Sequence, residues 1–381
     1  MDILKLNKIA KCGTDCFDAD KYNCCDECAN PEAILVRSAN MHEMDLGDKL
    51  LAIGRAGAGT NNIPIDSCSD KGIAVFNTPG ANANAVKELV VCATLLASRK
   101  IAASIDWCKG LKGEGENVGK LVEKGKSQFK GPEIKGKTMG VIGLGAIGEL
   151  VANAAVSLGM KVIGYDPFLS VAGALNLTPC VKVTKDINDV YEAADYITLH
   201  VPANDTTKGM INKEAIEKMK DNVRILNFAR GTLVNSADVI EALNNKKVAA
   251  YITDFPTDEL IGVEGVTALP HLGASTPESE DNCAVMAANE LIAYLETGAI
   301  KNSVNLPNTA VPADFDKRVC VIYKDNEGVQ SAIMALIGTK PVSFLTSSVK
   351  KGMGYLVADT AAEIDASKLE AIDGVVKVRV L

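Results

Sequence analysis

The block Val141-Ile142-Gly143-Leu144-Gly145-Ala146-Ile147-Gly148 constrains this 381-residue chain more than any other feature. Residues 139–142 form a short apolar run of the kind that makes a buried parallel strand, and 149–158 read as a helix. Glycines at this spacing give a tight turn, a close backbone approach to a pyrophosphate and close packing of helix on strand. The N-terminal amides of such a helix face the phosphates. Residues 161–165 read as the next strand, and Asp166 ends it 18 residues after Gly148. A carboxylate there accepts hydrogen bonds from both hydroxyls of an adenosine ribose and repels a 2′-phosphate. No arginine follows in Pro167-Phe168-Leu169, so NAD is expected rather than NADP. The expected contacts are Gly143, Gly145, Ala146, Ile147, Gly148 and Asp166.

The pattern around this block alternates strand and helix. Strands are expected at 196–201, 224–227, 249–253 and 266–269, which makes a doubly wound parallel α/β sheet. Before it, residues 1–98 read as a smaller α/β unit with strands at 33–36, 50–53 and 73–76. These run into Arg37-Ser38, Gly54-Arg55-Ala56-Gly57 and Asn77-Thr78-Pro79-Gly80, the loops a ligand crevice at a parallel sheet edge requires. Two long helices are expected at 83–99 and 279–296, and a lysine- and glycine-rich solvated crossing at 108–137. After a linker at 307–312, residues 316–381 read as βαββαβ, a ferredoxin-like module without histidine.

Net charge is −8, which argues against nucleic acid as a partner, because phosphate backbones select basic faces. No apolar run reaches the ~18 residues of a spanning helix and the N-terminus lacks signal-peptide organisation, so a soluble cytoplasmic protein without membrane contact is expected. Five of the eleven cysteines, Cys12, Cys16, Cys24, Cys25 and Cys28, crowd one segment. Their spacing resembles a metal site, but reduced thiols are the expected state and no metal is expected.

Three histidines are present: His42, His200 and His271. Oxidising an alcohol by hydride transfer needs a group to take the hydroxyl proton, and imidazole is poised for that near neutral pH. His200 lies within a strand and suits a wall, and His42 lies in a loop beside Glu43. His271 precedes the close-approach loop Leu272-Gly273-Ala274-Ser275-Thr276 and is the expected acid–base residue. Arg230 follows the strand at 224–227, where a guanidinium can grip a carboxylate and polarise the neighbouring carbonyl. A carboxylate should orient the imidazole, and spacing alone leaves Asp258 and Glu259 open.

The segments Arg55-Ala56-Gly57-Ala58-Gly59, Gly143 to Gly148, Asn227-Phe228-Ala229-Arg230-Gly231 and Pro270-His271-Leu272-Gly273-Ala274-Ser275-Thr276 resemble the D-isomer-specific 2-hydroxyacid dehydrogenases over nearly the whole chain. The resemblance implies catalytic Arg230, Glu259 and His271, with Glu259 falling 29 residues beyond the arginine. It implies substrate contacts at Arg37, Ser38, Arg55, Ala56 and Gly57. Further cofactor contacts follow at Val201, Pro202, Phe228, Ala229, Arg230, Asp254, His271, Gly273 and Ala274. It also implies a discontinuous flavodoxin-like substrate domain (1–100 and 282–308), a Rossmann-type NAD domain (101–281) and an ACT-like regulatory tail (316–381). The implied activity is NAD-dependent oxidation of a small anionic 2-hydroxy acid by a homodimer or larger homo-oligomer. The tail points to the branch acting on 3-phospho-D-glycerate. Glycerate, glyoxylate and D-lactate are the alternative substrates, and an NAD-sensing scaffold the alternative role. In the tail, Tyr323 and Asp325 stand where the family's serine-binding loop carries His and Asn, which argues against serine feedback.

Overall fold

In the computed structural model, which describes residues 1–381, the apolar runs become inner strands of three sheets. The first has five parallel strands: β1 (Asp2–Leu6), β2 (Asn23–Cys25), β3 (Ala33–Val36), β4 (Ala52–Arg55) and β5 (Ala74–Asn77). Their order, β2-β1-β3-β4-β5, is the flavodoxin-like one. Every residue of β3 is buried because both faces of the sheet are covered. Ala33 and Leu35 join one apolar cluster with Phe76 and Leu291, while Ile34 and Val36 join another with Ile53 and Val75. β4 and β5 start at Ala52 and Ala74, slightly later than the expected 50 and 73. Leu50 and Ile73 are core residues leading into the strands, so their apolarity marks burial rather than pairing. β1 and β2 escaped the sequence reading, since β1 mixes apolar with charged residues and β2 is a three-residue edge strand.

The second sheet has seven parallel strands: β6 (Thr138–Ile142), β7 (Lys161–Tyr165), β8 (Val181–Thr184), β9 (Tyr196–Leu199), β10 (Val223–Asn227), β11 (Val248–Thr253) and β12 (Val266–Ala268). The order is β12-β11-β10-β9-β6-β7-β8, a doubly wound Rossmann-type sheet. Strand order reverses between β6 and β9, which opens a crevice at their carboxyl ends. The helix Ala83–Arg99 turns Val86, Val90, Ala93 and Ala97 onto this sheet, among Val141, Leu226 and Ile252.

The chain forms two compact units, residues 1–82 with 277–381, and residues 83–276. The boundaries fall before the helices Ala83–Arg99 and Pro277–Thr297 rather than at 100 and 282, because the first helix packs on the second sheet and the second helix on the first sheet. The crossing expected at 108–137 has no buried residue; the stretch 101–129 forms the helices Ile101–Lys109 and Val118–Gly125 and two short 3-10 turns.

The third sheet is antiparallel: β13 (Arg318–Lys324), β14 (Phe344–Lys350), β15 (Met353–Asp359) and β16 (Val375–Val380), ordered β14-β15-β13-β16. With the helices Val329–Ile337 and Ala366–Glu370 it completes a ferredoxin-like, ACT-like βαββαβ module. Val319, Val321 and Tyr323 face its own helices, beside Ile333 and Leu369. Cys320, Ile322, Tyr355 and Val357 face the other way, into the cluster that holds Leu291 and Tyr294 of the helix Pro277–Thr297. The module is therefore fused to the first unit by a shared core. Arg318, fully buried, clasps Asp359 through Nε and Nη2 (2.6 and 2.7 Å) and donates to the carbonyls of Thr297 and Pro312.

Candidate active site

The turn after β6 has the geometry that its glycines allow. Gly143 has φ +93°, and a Cβ there would lie 2.6 Å from the carbonyl oxygen of His200. A Cβ on Gly148 would collide with the Gly143 carbonyl, so the helix Ala146–Ser157 packs against the turn only with glycine in its first turn. That helix begins at Ala146, directly after Gly145, rather than at 149. Gly145 itself faces open space and provides no side-chain cap, leaving the first amides available to an anion. Asp166, at the end of β7, accepts from the amides of Leu144 (2.9 Å) and Phe168 (2.8 Å). One oxygen therefore ties the carboxylate to the glycine turn while each keeps a second lone pair for a ribose hydroxyl. Val201 and Pro202 follow β9, where Val201 packs under Gly143 and the Pro202 carbonyl accepts from Thr207 Oγ1.

Arg230 follows β10 and is exposed. The fully buried Asn227 shapes its loop, donating from Nδ2 to the Arg230 carbonyl (2.9 Å) and accepting at Oδ1 from the Ala229 amide (3.2 Å). The Arg230 guanidinium donates to the Ala229 carbonyl (2.6 Å). Next to it, Gly231 packs on Phe255, since a Cβ there would lie 3.1 Å from that side chain. The Phe255 ring in turn rests on the exposed imidazole of His271, with centroids 4.9 Å apart. Phe255 thus joins the loop after β10 to the loop after β12. Asn227 and Phe255 were not singled out from sequence, although both lie within the quoted motifs or beside them.

Asp254, at the end of β11, is 1% exposed. Its Oδ2 accepts from the Gly273 amide (3.0 Å) and its Oδ1 has no partner. Burial raises its pKa, opposed by the Gly273 hydrogen bond and by His271. Glu259 is exposed, and no hydrogen bond or ion pair links it or Asp258 to His271. Phe228 is buried, and Ala229 and Ala274 are half-buried around the same loops.

The other histidines have structural partners. His200 accepts or donates at Nε2 with Thr198 Oγ1 (2.9 Å), and desolvation lowers its pKa to about 3, so it stays neutral. His42 Nε2 bonds the Asn61 carbonyl (2.9 Å).

In the first unit, the expected substrate loops end β3 and β4. Asn7, at φ +71°, accepts from the amides of Ser38 (2.9 Å) and Ala39 (2.5 Å) and so shapes the loop after β3. Arg37 pairs with Glu280 (2.8 Å). The Arg55 guanidinium folds back over Gly57, at φ +149°, where any Cβ would collide with it. Ala56 is buried. In the cysteine-rich segment the thiols of Cys12, Cys16 and Cys25 donate to carbonyls, all eleven cysteines are free, and no group of three potential metal ligands converges.

The glycine turn, the bare helix N-terminus, Asp166 and the orphaned Asp254 oxygen fit a dinucleotide: phosphates at the amides, ribose at Asp166, an amide N–H at Asp254. Comparison with known proteins agrees. Residues 92–273 match the D-isomer specific 2-hydroxyacid dehydrogenase NAD binding domain. D-3-phosphoglycerate dehydrogenase of Archaeoglobus fulgidus is 36% identical over 366 residues, which are 90% of this chain and 67% of that protein. The enzyme of that name from Methanocaldococcus jannaschii is 36% identical over 286 residues, 73% of this chain, but only 52% of its own length is spanned. The NAD+-bound 3-phosphoglycerate dehydrogenase of Entamoeba histolytica superposes with a TM-score of 0.64 at 28% identity, covering 80% of this chain and 98% of that one. No helix is long and apolar enough to cross a membrane. The chain belongs to the D-isomer-specific 2-hydroxyacid dehydrogenases and carries their NAD-binding domain.

Proposed function

We propose that this protein oxidises 3-phospho-D-glycerate to 3-phosphohydroxypyruvate with NAD, the first step of L-serine biosynthesis. The observation that carries the chemistry is the loop cluster in which Phe255 joins the exposed imidazole of His271 to the loop of the exposed Arg230. The relatives' names support the phosphorylated substrate. Arg230 binds the carboxylate and polarises the C2 oxygen as it becomes a carbonyl. His271 removes the C2 hydroxyl proton at a ring nitrogen. The nicotinamide, when bound, supplies the hydride acceptor. Asp254 is assigned to the nicotinamide's amide, and Glu259, on the exposed loop before β12, is assigned to support the His271 imidazole in turnover. Arg55, with the amides of Ala56 and Gly57, handles the remaining substrate charge, assisted by Arg37 and Ser38.

One observation favours an unphosphorylated 2-hydroxy acid as a second reading: Glu280 already neutralises Arg37. NADH formation from 3-phosphoglycerate, glycerate and D-lactate decides between them. The proposal expects the highest kcat/KM with 3-phosphoglycerate, and a preference for glycerate would overturn it.

The working form is a cytoplasmic homodimer or larger homo-oligomer. All eleven cysteines are free thiols, and the segment 101–129 leaves apolar Ile105 and Val118 exposed (51% and 37%), a surface for a second copy. A monomeric mass in solution would refute the dimer.

A further inference from the structure

The hairpin between β14 and β15 turns through Lys351 and Gly352, both left-handed (φ +51° and +78°). A two-residue turn of this kind is made most easily by Asn-Gly or Gly-Gly. Lysine here keeps a strained backbone and sets a second ammonium beside Lys350, although neither lysine has an acidic partner. The half-buried Lys350 donates one hydrogen bond from Nζ to the Ser303 carbonyl (2.6 Å), leaving two N–H groups unused. Burial and the charge of Lys351 both push its pKa down.

The two lysines line a shallow, open cleft of about 370 Å³ with Asn77, Asn302, Ser303 and Asn308. Asn308 spends its carbonyl oxygen on the Asn302 amide (3.0 Å), so its NH2 remains as a donor. The cleft thus presents two ammonium groups and the Asn308 carboxamide as donors, with no carboxylate among its lining residues. The NH2 groups of Asn77 and Asn302 are spent on the Ala58 carbonyl and on Glu290.

A short chain of hydrogen bonds leads away from it. The Asn302 carbonyl accepts from the Asn77 amide (3.4 Å), and Asn77 Nδ2 donates to the Ala58 carbonyl (2.6 Å). The next amide, of Thr78, donates to the Gly57 carbonyl (3.1 Å). Both bonds hold the loop that Arg55 begins.

We propose that this cleft is a regulatory site for a small dianionic oxyanion, a phosphate ester or a dicarboxylate, whose binding is transmitted through Asn77 to the Arg55 loop. An anion bridging Lys350 and Lys351 relieves their mutual repulsion and draws the Asn302–Asn308 turn toward the hairpin. The ACT-like module then acts through its hairpin on the substrate loop.

Isothermal titration of the full-length protein at low ionic strength, with inorganic phosphate and with succinate in separate runs, tests this. Binding is read as heat rather than turnover, so that arm of the test holds whichever 2-hydroxy acid the enzyme takes. At least one probe should bind saturably, and which one does identifies the ligand chemistry. Lys350→Gln/Lys351→Gln should weaken that binding roughly tenfold or more. Lys351→Gln alone, which removes no bond within the protein, should weaken it in the same direction. Arg55→Ala should leave it undiminished, and Asn77→Ala should keep the binding but abolish the probe's effect on KM. Absence of binding, insensitivity to the lysine substitutions, or loss in Arg55→Ala alone would overturn the proposal.

Discussion

His200 and His271 both lie just beyond a strand of the NAD sheet, in opposite surroundings. His200 is desolvated beside Thr198 and cannot hold a proton near neutral pH, with its pKa lowered to about 3. His271 is exposed, backed by Phe255 and near the charge of Asp254. His271→Ala should lower turnover ~10²–10⁴-fold while NADH binding, read by fluorescence, survives. Glu259→Gln should reduce the rate and shift its pH profile, whereas Asp258→Asn should do neither; the reverse result would move the supporting carboxylate to Asp258. A second titratable residue lies off the reaction path. Glu290 is buried, accepts from Asn302 Nδ2 (2.7 Å) and has its pKa raised to about 7 by desolvation. The folded protein therefore keeps this proton where the unfolded chain has released it. The stability it contributes is complete below about pH 4.5 and is lost as pH rises through about 7. Glu290→Gln should remove that decline, raising the melting temperature at about pH 8 by the equivalent of ~2–3 kcal/mol. A variant with the parent's pH profile would show that Glu290 titrates normally.

At the scale of elements, β13 decides what the tail can sense. Tyr323 points into the module's own core, fully buried, with its hydroxyl bonded to Ser347 Oγ (3.0 Å), and a Cβ on Gly354 would collide with its ring. A side chain so engaged offers nothing to a ligand. Asp325, exposed at the strand end, puts a negative charge where the family's serine-binding loop carries Asn. L-Serine should consequently inhibit the forward reaction only in the millimolar range or not at all, because each lost bond to a charged group costs ~1.5–3 kcal/mol. Half-inhibition at micromolar serine would show that the loop binds it by another arrangement.

At the scale of the whole molecule, the ACT-like tail is part of the first unit's core rather than a tethered appendage. Arg318 is satisfied on every side, by Asp359, Thr297 and Pro312, with its guanidinium 4.0 Å from the Phe315 ring centroid. Arg379 adds two bonds to the carbonyls of Tyr294 and Leu295 at the end of the helix Pro277–Thr297. Arg318→Ala leaves Asp359 buried without its cation and should destabilise the protein by ~3–5 kcal/mol in urea unfolding. Replacing both partners with apolar residues of similar volume should recover much of that loss. A loss below ~1 kcal/mol for Arg318→Ala would show that the clasp is solvated in solution.

The cofactor-binding half was largely legible in the order of residues. A glycine turn, its flanking strand and helix, and Asp166 lie within one continuous stretch, and the chemistry of such a turn depends on neighbours in the chain. The βαββαβ order of the tail was legible for the same reason, since its elements alternate locally. Only the tertiary structure decided which face of β13 and β15 would be covered, because Cys320 and Tyr355 meet Tyr294 through contacts far apart in sequence. It also decided which histidine is desolvated and stays neutral. Desolvation and approach depend on what the fold brings near a residue, and Asp254 with Gly273, or Lys350 with Ser303, become neighbours only once the chain has closed on itself.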